Sequence, residues 1–259
     1  MGKEIIKNAP SAAALFEGWQ EVLIWSVLEG ACGELWSLSD APKAALCENG
    51  DFLFVAGSAE ETETAELLKG WRENAKGFHI IVPRDERCGS MLETLFAPRV
   101  RRTERYAFLK DNTGFDAQRL QQLTAALPQG VRVVPFDRSL YRLALQNDWS
   151  RDFCSQFADE EDYMARGVGY AALADGELIG GASSYIRCSS AIEIQVETRE
   201  DWRRRGVAAA CCAALITECL SRGLHPSWDA ANAESARLAA RLGYRSAGAY
   251  AAWFVDVHK

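Results

Sequence analysis

The most regular pattern in the chain is an alternation of apolar and polar residues that leads into a long run of small apolar ones. Residues 191–198 read AIEIQVET, and a hydrophobic period of two predicts a half-buried strand. Beyond a polar turn, residues 206–224 read GVAAACCAALITECLSRGL, a composition that favours a helix. Gly223 stands where a left-handed residue would end that helix. The pattern therefore predicts a strand, a turn and a helix in direct succession.

The predicted turn carries three arginines, Arg203, Arg204 and Arg205, immediately before the helix begins. The first N–H groups of a helix have no partner within it and lie at the positive end of its dipole, so they bind anions. Gly206 and Ala208 carry little or no side chain, which lets a bulky phosphate approach the backbone. Cations are unfavourable at a positive helix end unless an anion lies between them. The turn therefore predicts a phosphate-binding site.

The N-terminal half alternates helical and strand patterns in an α/β manner. The predicted elements are a mainly helical stretch over 12–30, strands over 34–39 and 52–56 on either side of a turn at 49–51, a helix over 62–74, a strand over 78–82, a helix over 90–96 and a strand over 102–109. This half carries no nucleotide, metal or nucleophile motif. We interpret it as a domain that packs against, or shapes, a substrate site elsewhere.

A domain boundary is predicted where a helix over 116–127 ends at Pro128-Gln129-Gly130. The predicted domains are therefore 1–128 and 129–259. In the second domain, a strand over 131–135 and a helix over 139–147 precede a polar, acidic stretch over 150–165. Strands over 169–174 and 177–185 then bracket Asp175-Gly176, a strong signal for a hairpin turn.

Composition narrows the class of protein. The chain has 259 residues, of which 48 % are hydrophobic and 25 % charged, and its formal net charge is −7. Such a chain can form an ordinary globular core, and its acidic balance argues against nucleic acid or an anionic membrane as a partner. An arginine cluster at 99–105 is locally basic, and we expect it to be a solvated strand face. The sequence does not determine the oligomeric state, and an oligomer is possible.

The cysteines and histidines argue against a metal site and against disulfides. The eight cysteines include no C-x-x-C pair, and none of the three histidines, His79, His225 and His258, has a ligand partner at short spacing. Reduced thiols indicate the cytoplasm. The N-terminal residues also lack the apolar core of a signal peptide. We expect an intracellular protein without a metal.

Arg203-x-x-Gly206-x-Ala208 resembles the R/Q-x-x-G-x-G/A motif of the GNAT N-acetyltransferase superfamily. A second segment, 225–248, resembles the fifth strand of that superfamily, followed by a helix that Asn232 opens and by Leu242-Gly243-Tyr244. The resemblance covers 131–257 and includes a bacterial branch with an additional N-terminal domain. It implies an α/β fold with a mixed sheet, namely a C-terminal GNAT acyl-CoA N-acyltransferase fold preceded by a smaller α/β domain. Whether that smaller domain is a degenerate GNAT-like copy stays open.

The resemblance also implies acetyl-CoA as co-substrate. Its diphosphate would bind the backbone of the arginine turn, while its amide-containing arm would pair with the strand as an additional edge. A backbone N–H there would face the thioester oxygen. The implied contacts are Gln195, Val196, Glu197, Arg203, Arg204, Arg205, Gly206, Val207, Ala208, Asn232 and Ser235. Asn232 is equally explained as a helix N-cap that needs no ligand.

Acetylation of an amine needs a group that removes a proton, because an amine with a pKa of about 10.4 is protonated at neutral pH. The candidate bases are Glu193, Glu197 and Asp229, and the sequence does not choose among them. In some members of the superfamily the base lies five residues before the asparagine, where this chain has Ser227. The usual tyrosine acid is replaced by Ala239. Its substitutes would be Tyr185, Tyr244, Tyr250 or water.

The predicted function is therefore an acetyl-CoA-dependent N-acetyltransferase that acts on an amine of a small molecule or peptide. The alternative is a catalytically silent protein that binds acetyl-CoA as a sensor or interaction module, because the usual acid is missing. The acidic residues at 159–162 would either attract a cationic acceptor or simply form a solvated helix end. The acceptor itself cannot be identified from the sequence.

Overall fold

The computed structural model describes residues 6–8, 10–58 and 60–257. Their strands are β1 (Ile6–Lys7), β2 (Glu34–Ser37), β3 (Ala45–Asn49), β4 (Phe52–Ala56), β5 (Gly77–Pro83), β6 (Val100–Phe108), β7 (Val131–Pro135), β8 (Gly169–Ala174), β9 (Glu177–Arg187), β10 (Ala191–Thr198), β11 (His225–Ser227), β12 (Asp229–Ala230) and β13 (Ser246–Val257). Their α-helices are α1 (Val22–Leu28), α2 (Thr62–Asn74), α3 (Gly89–Phe96), α4 (Ala117–Ala125), α5 (Arg138–Leu145), α6 (Glu160–Arg166), α7 (Val207–Ser221) and α8 (Ala233–Leu242). The chain divides into two compact units, unit 1 (Met1–Arg105 with Ala249–Lys259) and unit 2 (Tyr106–Gly248).

Unit 1 is built on a mixed sheet in which β1, β2, β3, β4, β5 and β13 are successive neighbours. β4 and β5 are parallel, and α2 connects them, while the other pairs are antiparallel. One face of the sheet buries Leu53 and Ile81 against the apolar side of α2, where Leu67, Leu68 and Trp71 are completely buried. The helix forms because its apolar residues recur every three to four positions.

For unit 1, one prediction is confirmed in outline and another is wrong. The stretch over 12–30 is mainly helical, as predicted, in two segments: a 3₁₀ helix over Pro10–Phe16 and helix α1 are separated by a bend in which Gly18 has a φ of +76°. The turn at Asn49-Gly50-Asp51 joins β3 to β4 rather than the strand over 34–39. β3 escaped prediction because its sequence, ALCEN, lacks the β-branched residues typical of strands.

The arginines of β6 do not form a uniformly solvated face, contrary to expectation. Arg105 is buried and lies over the ring of Phe52, 5.0 Å from its centroid. Arg101 lies over Phe254 in the same manner. An aromatic face attracts a guanidinium group through its quadrupole, so the charge of these arginines serves packing within unit 1.

Unit 2 contains a five-stranded sheet in the order β11-β10-β9-β8-β7. β7 to β10 form an antiparallel meander, and α7 crosses over to bring β11 parallel to β10. Ile192 is completely buried against α7, and Ile194 and Val196 pack on the same core, which confirms the predicted alternation. Asp175 and Gly176 both adopt left-handed φ angles, +50° and +87°, and form the predicted hairpin between β8 and β9.

The compact units divide the chain at other points than the predicted domains, 1–128 and 129–259. α4 packs on α7, and its Leu120 and Leu123 share one core cluster with Leu215. The helix before Pro128 therefore belongs to unit 2 by its contacts. The domain boundary itself stays a prediction.

The cysteines are free and, except for Cys32, buried. Burial raises the pKa of the Cys211 and Cys219 thiols in α7 to about 12, so they remain protonated. Over the described ranges, His, Cys, Asp and Glu side chains form no group of three or more that could hold a metal, and no helix is long and apolar enough to span a membrane. His258 lies outside the described residues.

Candidate active site

β10 and β11 form a fork, which is the central feature of the site. They are paired for three residues, with Ala191 opposite His225 and Glu193 opposite Ser227. The chain then leaves β10, and β12 pairs with the end of β6, Asp229 lying opposite Ala107. The two strands therefore separate immediately after Glu193 and Ser227, and these two residues mark the apex of the fork.

The fork leaves one edge of β10 open. Over the described residues, no strand pairs with 194–198 on the edge that β11 occupies earlier. Successive residues of a strand direct their N–H groups to opposite edges. The Ser190 carbonyl accepts from the N–H of His225 in β11, and the Arg199 N–H donates to the Ile179 carbonyl in β9. Counting along the strand from these two bonds, the N–H groups of Ile194 and Val196 are directed to the open edge. An extended, amide-containing ligand would pair there as a strand does.

The turn between β10 and α7 is a backbone loop held in left-handed conformations. Arg204 has a φ of +63° and Gly206 a φ of +86°, and Gly206 is the N-cap of α7 without a side-chain cap. The φ of Gly206 explains the glycine, because an L-residue is strained there. The predicted role of Gly206 in allowing close approach of a ligand is separate from this conformational reason.

Six successive backbone N–H groups, those of residues 204–209, donate to no described residue. The first intrahelical bond of α7 is that from Ala210 N–H to the Gly206 carbonyl. Val207 and Ala209 are buried residues, and their N–H groups have no acceptor among the described residues. A run of unpaired backbone N–H groups at a helix N-terminus fits an anion that binds there. We call these six N–H groups the cradle.

The arginine side chains of the turn are partly engaged by protein groups. Arg203 donates to the Thr198 carbonyl and to the Glu197 carboxylate, both at 3.2 Å. The guanidinium of Arg205 lies 4.9 Å from the centroid of the Trp202 ring. Glu197 also accepts from the N–H of Thr198 at 3.0 Å. Glu197 thus links the turn to the end of β10. This structural role was not expected when Glu197 was named as a candidate base.

Thr198, the last residue of β10, has a buried hydroxyl without a hydrogen-bond partner among the described residues. We expect Thr198→Val to raise the free energy of unfolding by about 1 kcal/mol, because valine keeps the shape and removes a buried polar group that costs desolvation energy. Thermal or denaturant unfolding would measure the change. The matched control is Thr217→Val in α7, whose hydroxyl donates to the Ala213 carbonyl at 2.8 Å, and which should not be stabilised. A lower stability for Thr198→Val would contradict the expectation.

The three candidate bases occupy different places. Glu193 is buried, 4 % exposed, at the apex of the fork. Glu197 lies on the same face of β10, about 13 Å further along by strand rise. Asp229 belongs to β12 and so to a different ladder from Ser227, because the strand breaks at the buried Trp228. Ser227 and Asp229 therefore lie on two different strands, β11 and β12.

Asn232 and Ser235 shape the start of α8. The Asn232 side chain accepts from the N–H of Ser235 at 2.9 Å, which is the predicted N-cap. The hydroxyl of Ser235 accepts from the indole of Trp228 at 3.1 Å. Asn232 is exposed, and its proposed contact with a co-substrate stays a prediction.

The position of the missing tyrosine is closed to solvent. Ala239 is completely buried in the core of unit 2. Tyr244 is buried as well, its hydroxyl donates to the Pro226 carbonyl at 2.7 Å, and burial raises the pKa of that hydroxyl well above its usual value. Tyr185 is buried on β9, and Tyr250 belongs to unit 1. Water, the fourth substitute for the tyrosine acid named from the sequence, can act without any movement of these side chains.

Sequence reasoning missed Lys110, whose ammonium donates to the hydroxyl of Ser227 at 2.7 Å. Lys110 follows β6, far from the fork in sequence, and no local pattern marks it. The only hint in the sequence is that Ser227 stands where some members of the superfamily have a glutamate, so that another residue could supply a charge near it.

Comparisons with known proteins agree on one family. A family model described as GNAT acetyltransferase matches residues 13–253. The uncharacterized N-acetyltransferase YdfB of Bacillus subtilis (strain 168) is 24 % identical over 209 residues, which is 78 % of this chain and 76 % of that protein. A GCN5-related N-acetyltransferase-like protein from Streptococcus suis 89/1591 is 39 % identical, with a TM-score of 0.84 over 93 % of this chain and 95 % of that one.

A tandem GNAT protein from the clavulanic acid biosynthesis pathway shares the fold over 99 % of both chains, with 13 % identity and a TM-score of 0.59. The predicted mixed α/β GNAT fold is confirmed. The match also extends well beyond 131–257, the part in which the sequence resemblance was found. A tandem arrangement fits the two units of this chain.

Proposed function

This chain belongs to the GNAT acetyltransferase family, and from that we propose that it moves the acetyl group of acetyl-CoA to an amine of a small molecule or a peptide. The family accounts for acyl transfer from acetyl-CoA; the amine acceptor is our proposal. The single observation that carries it is the cradle at the open end of the fork. We assign the reaction to the cytoplasm, since eight free thiols are typical of a reducing compartment.

The residues of unit 2 fit the parts of this co-substrate. The cradle offers six donors to a diphosphate, and Arg204 adds an exposed cation. The open edge of β10 offers the N–H groups of Ile194 and Val196 to an amide-containing arm. When bound, the thioester supplies an activated acetyl group at the fork. A backbone N–H of β10 directed at its oxygen would stabilise the negative charge that develops there.

We assign the removal of the amine proton to Glu193. It is the candidate carboxylate at the apex of the fork, whereas Glu197 holds Arg203 and Asp229 lies on another ladder. A general base must come within hydrogen-bond reach of the proton that it accepts. Among the three candidates, Glu193 lies beside both separating strands.

The departing thiolate needs no tyrosine. A thiol with a pKa of about 8.5 is a good leaving group near neutral pH, so water suffices to return a proton to it. The burial of Ala239 and of Tyr244 is consistent with a site that works without a side-chain acid.

Binding and turnover test the proposal in two steps. We expect CoA to give a saturable calorimetric signal with the purified full chain, because six preformed donors meet its diphosphate. We then expect acetyl-CoA to release thiol in the presence of some members of a panel of amines. The panel should include amino acids, polyamines, aminoglycosides and peptides with free amino termini.

Each failure has a separate meaning. Absence of heat with CoA at millimolar concentration would contradict the cradle and the proposal with it. Heat without thiol release from any amine would favour the alternative, a silent protein that binds acetyl-CoA. The feature that favours this second function is Ala239, which replaces the usual tyrosine acid.

A further inference from the structure

Residues 109–114 form a strap over β11 that is fastened at almost every position. The Leu109 N–H donates to the Arg245 carbonyl at 2.9 Å, and Arg245 in turn donates to Asp111 at 3.2 Å. Asn112 is 2.7 Å from the Nδ1 atom of His225. At the end of the strap, a Cβ added to Gly114 would come within 2.1 Å of the Gly243 carbonyl oxygen, so the two backbones are in direct contact.

The strap places the side chain of Lys110 at the apex of the fork. Its ammonium lies 2.7 Å from the hydroxyl of Ser227, which is completely buried. Ser227 is the ladder partner of Glu193, and paired residues of neighbouring strands present their side chains on the same face, about 4.8 Å apart. The ammonium is therefore bound on the face of the sheet that carries the buried side chain of Glu193.

We propose that Lys110, seated on Ser227 by the strap, is a positioning residue that keeps Glu193 ionised and ready to accept the proton of the amine. The proposal rests on the function assigned to Glu193 above. Burial alone favours the neutral form of a carboxyl group, whereas a neighbouring cation favours the charged form. Ser227 occupies the position, five residues before Asn232, at which the resemblance implies a glutamate in some members of the superfamily. In this chain Ser227 instead binds the ammonium of Lys110, and the glutamate, Glu193, lies on the neighbouring strand β10.

Other titratable and charged groups lie on the elements around this face. The titratable and charged side chains on the elements around it are Asp111, Arg151, Asp152, Tyr185, Arg187, Glu197, His225, Asp229 and Tyr244. Of these, Arg187 lies opposite Ile192, on the other face of β10. Burial, followed by the charge of Lys110, lowers the pKa of His225 to about 4, so this imidazole is neutral in the working range. Burial keeps Tyr244 protonated. Arg151 is mostly exposed and lies 3.9 Å from Asp148.

The test measures the pKa of Glu193 directly in the protein without substrate. The carboxyl carbon is followed by ¹³C NMR in protein labelled at glutamate, with Glu193→Gln used to assign the signal. We expect Lys110→Met to raise this pKa by about one unit or more, because removal of a cation favours the protonated form. Lys110→Arg should leave it close to the original value. In active enzyme, the acid limb of kcat/KM should move to higher pH by the same amount.

Ser227→Ala guards against loss of folding in Lys110→Met. It keeps every charge and removes only the seat, so we expect a smaller rise of the same sign. An unchanged pKa of Glu193 in folded Lys110→Met overturns the proposal, as does an unchanged pKa in Ser227→Ala if Lys110→Met does not fold. A higher KM for acidic acceptors without any change in that pKa would also overturn it, because Lys110 would then bind the acceptor. The NMR result stands whether or not the chain acetylates amines.

Discussion

Gly206→Ala is expected to weaken the binding of CoA by about tenfold or more, because a left-handed conformation costs an L-residue about 1–2 kcal/mol. Gly206 has a φ of +86°, and an added Cβ would lie 3.2 Å from the Ala126 carbonyl oxygen. Alanine can relieve both strains only by rotating the turn. That rotation would point the N–H groups of the cradle away from a common centre. Calorimetry with CoA measures the loss.

Gly223→Ala is the matched control for this prediction. Gly223 lies at the other end of α7 with a φ of +70°, and nothing lies within 4 Å of an added Cβ. Alanine there carries a similar backbone penalty without touching the cradle, so stability should fall while the Kd for CoA stays unchanged. If both variants lose affinity equally, the effect belongs to the stability of α7 and not to the conformation of the turn.

The parts of the site that local sequence could predict are those that depend on neighbours in the chain. The alternation along 191–198 predicts β10, because one face of that strand packs on α7. Gly223 ends α7 with the expected left-handed φ, and Asn232 caps α8 as expected. Each of these features needs only a few successive residues, and the same physical preferences act in any fold.

The remaining parts depend on contacts between distant segments, which no local pattern records. The fork exists because the chain changes partner between Ser227 and Asp229, from β10 to β6. The assignment of α4 to unit 2 depends on its packing against α7. Lys110 reaches Ser227 across 117 residues of sequence. A lysine after a strand is most often a solvated residue, so its sequence neighbourhood gave no reason to select it.

Contacts within the folded structure also separate the candidate bases, which the sequence alone could not rank. Glu193 and Glu197 share one face of one strand and differ only in what meets them there. The apex of the fork and Ser227 meet Glu193, whereas Arg203 and the Thr198 N–H meet Glu197. We therefore propose two different tasks for the same residue type, proton transfer for Glu193 and holding the turn for Glu197.

Glu193→Gln is expected to lower kcat by about 10²- to 10⁴-fold, the usual contribution of a general base. Glutamine keeps the size of the side chain but cannot accept the proton of the amine. The cradle lies beyond the far end of β10, so the Kd for CoA should stay within about twofold of the original. Steady-state kinetics with a responsive amine gives kcat, and calorimetry gives the Kd.

Glu197→Gln and Asp229→Asn are the controls, and they should fail in other ways. Glu197→Gln loses the charge that holds Arg203 at 3.2 Å, so we expect a weaker affinity for CoA with a modest change in kcat. Asp229→Asn alters a residue of the β12–β6 ladder and should leave both quantities nearly unchanged. A large loss of kcat in either control, with Glu193→Gln still active, would contradict the assignment, because the proton would then leave from another part of the fork.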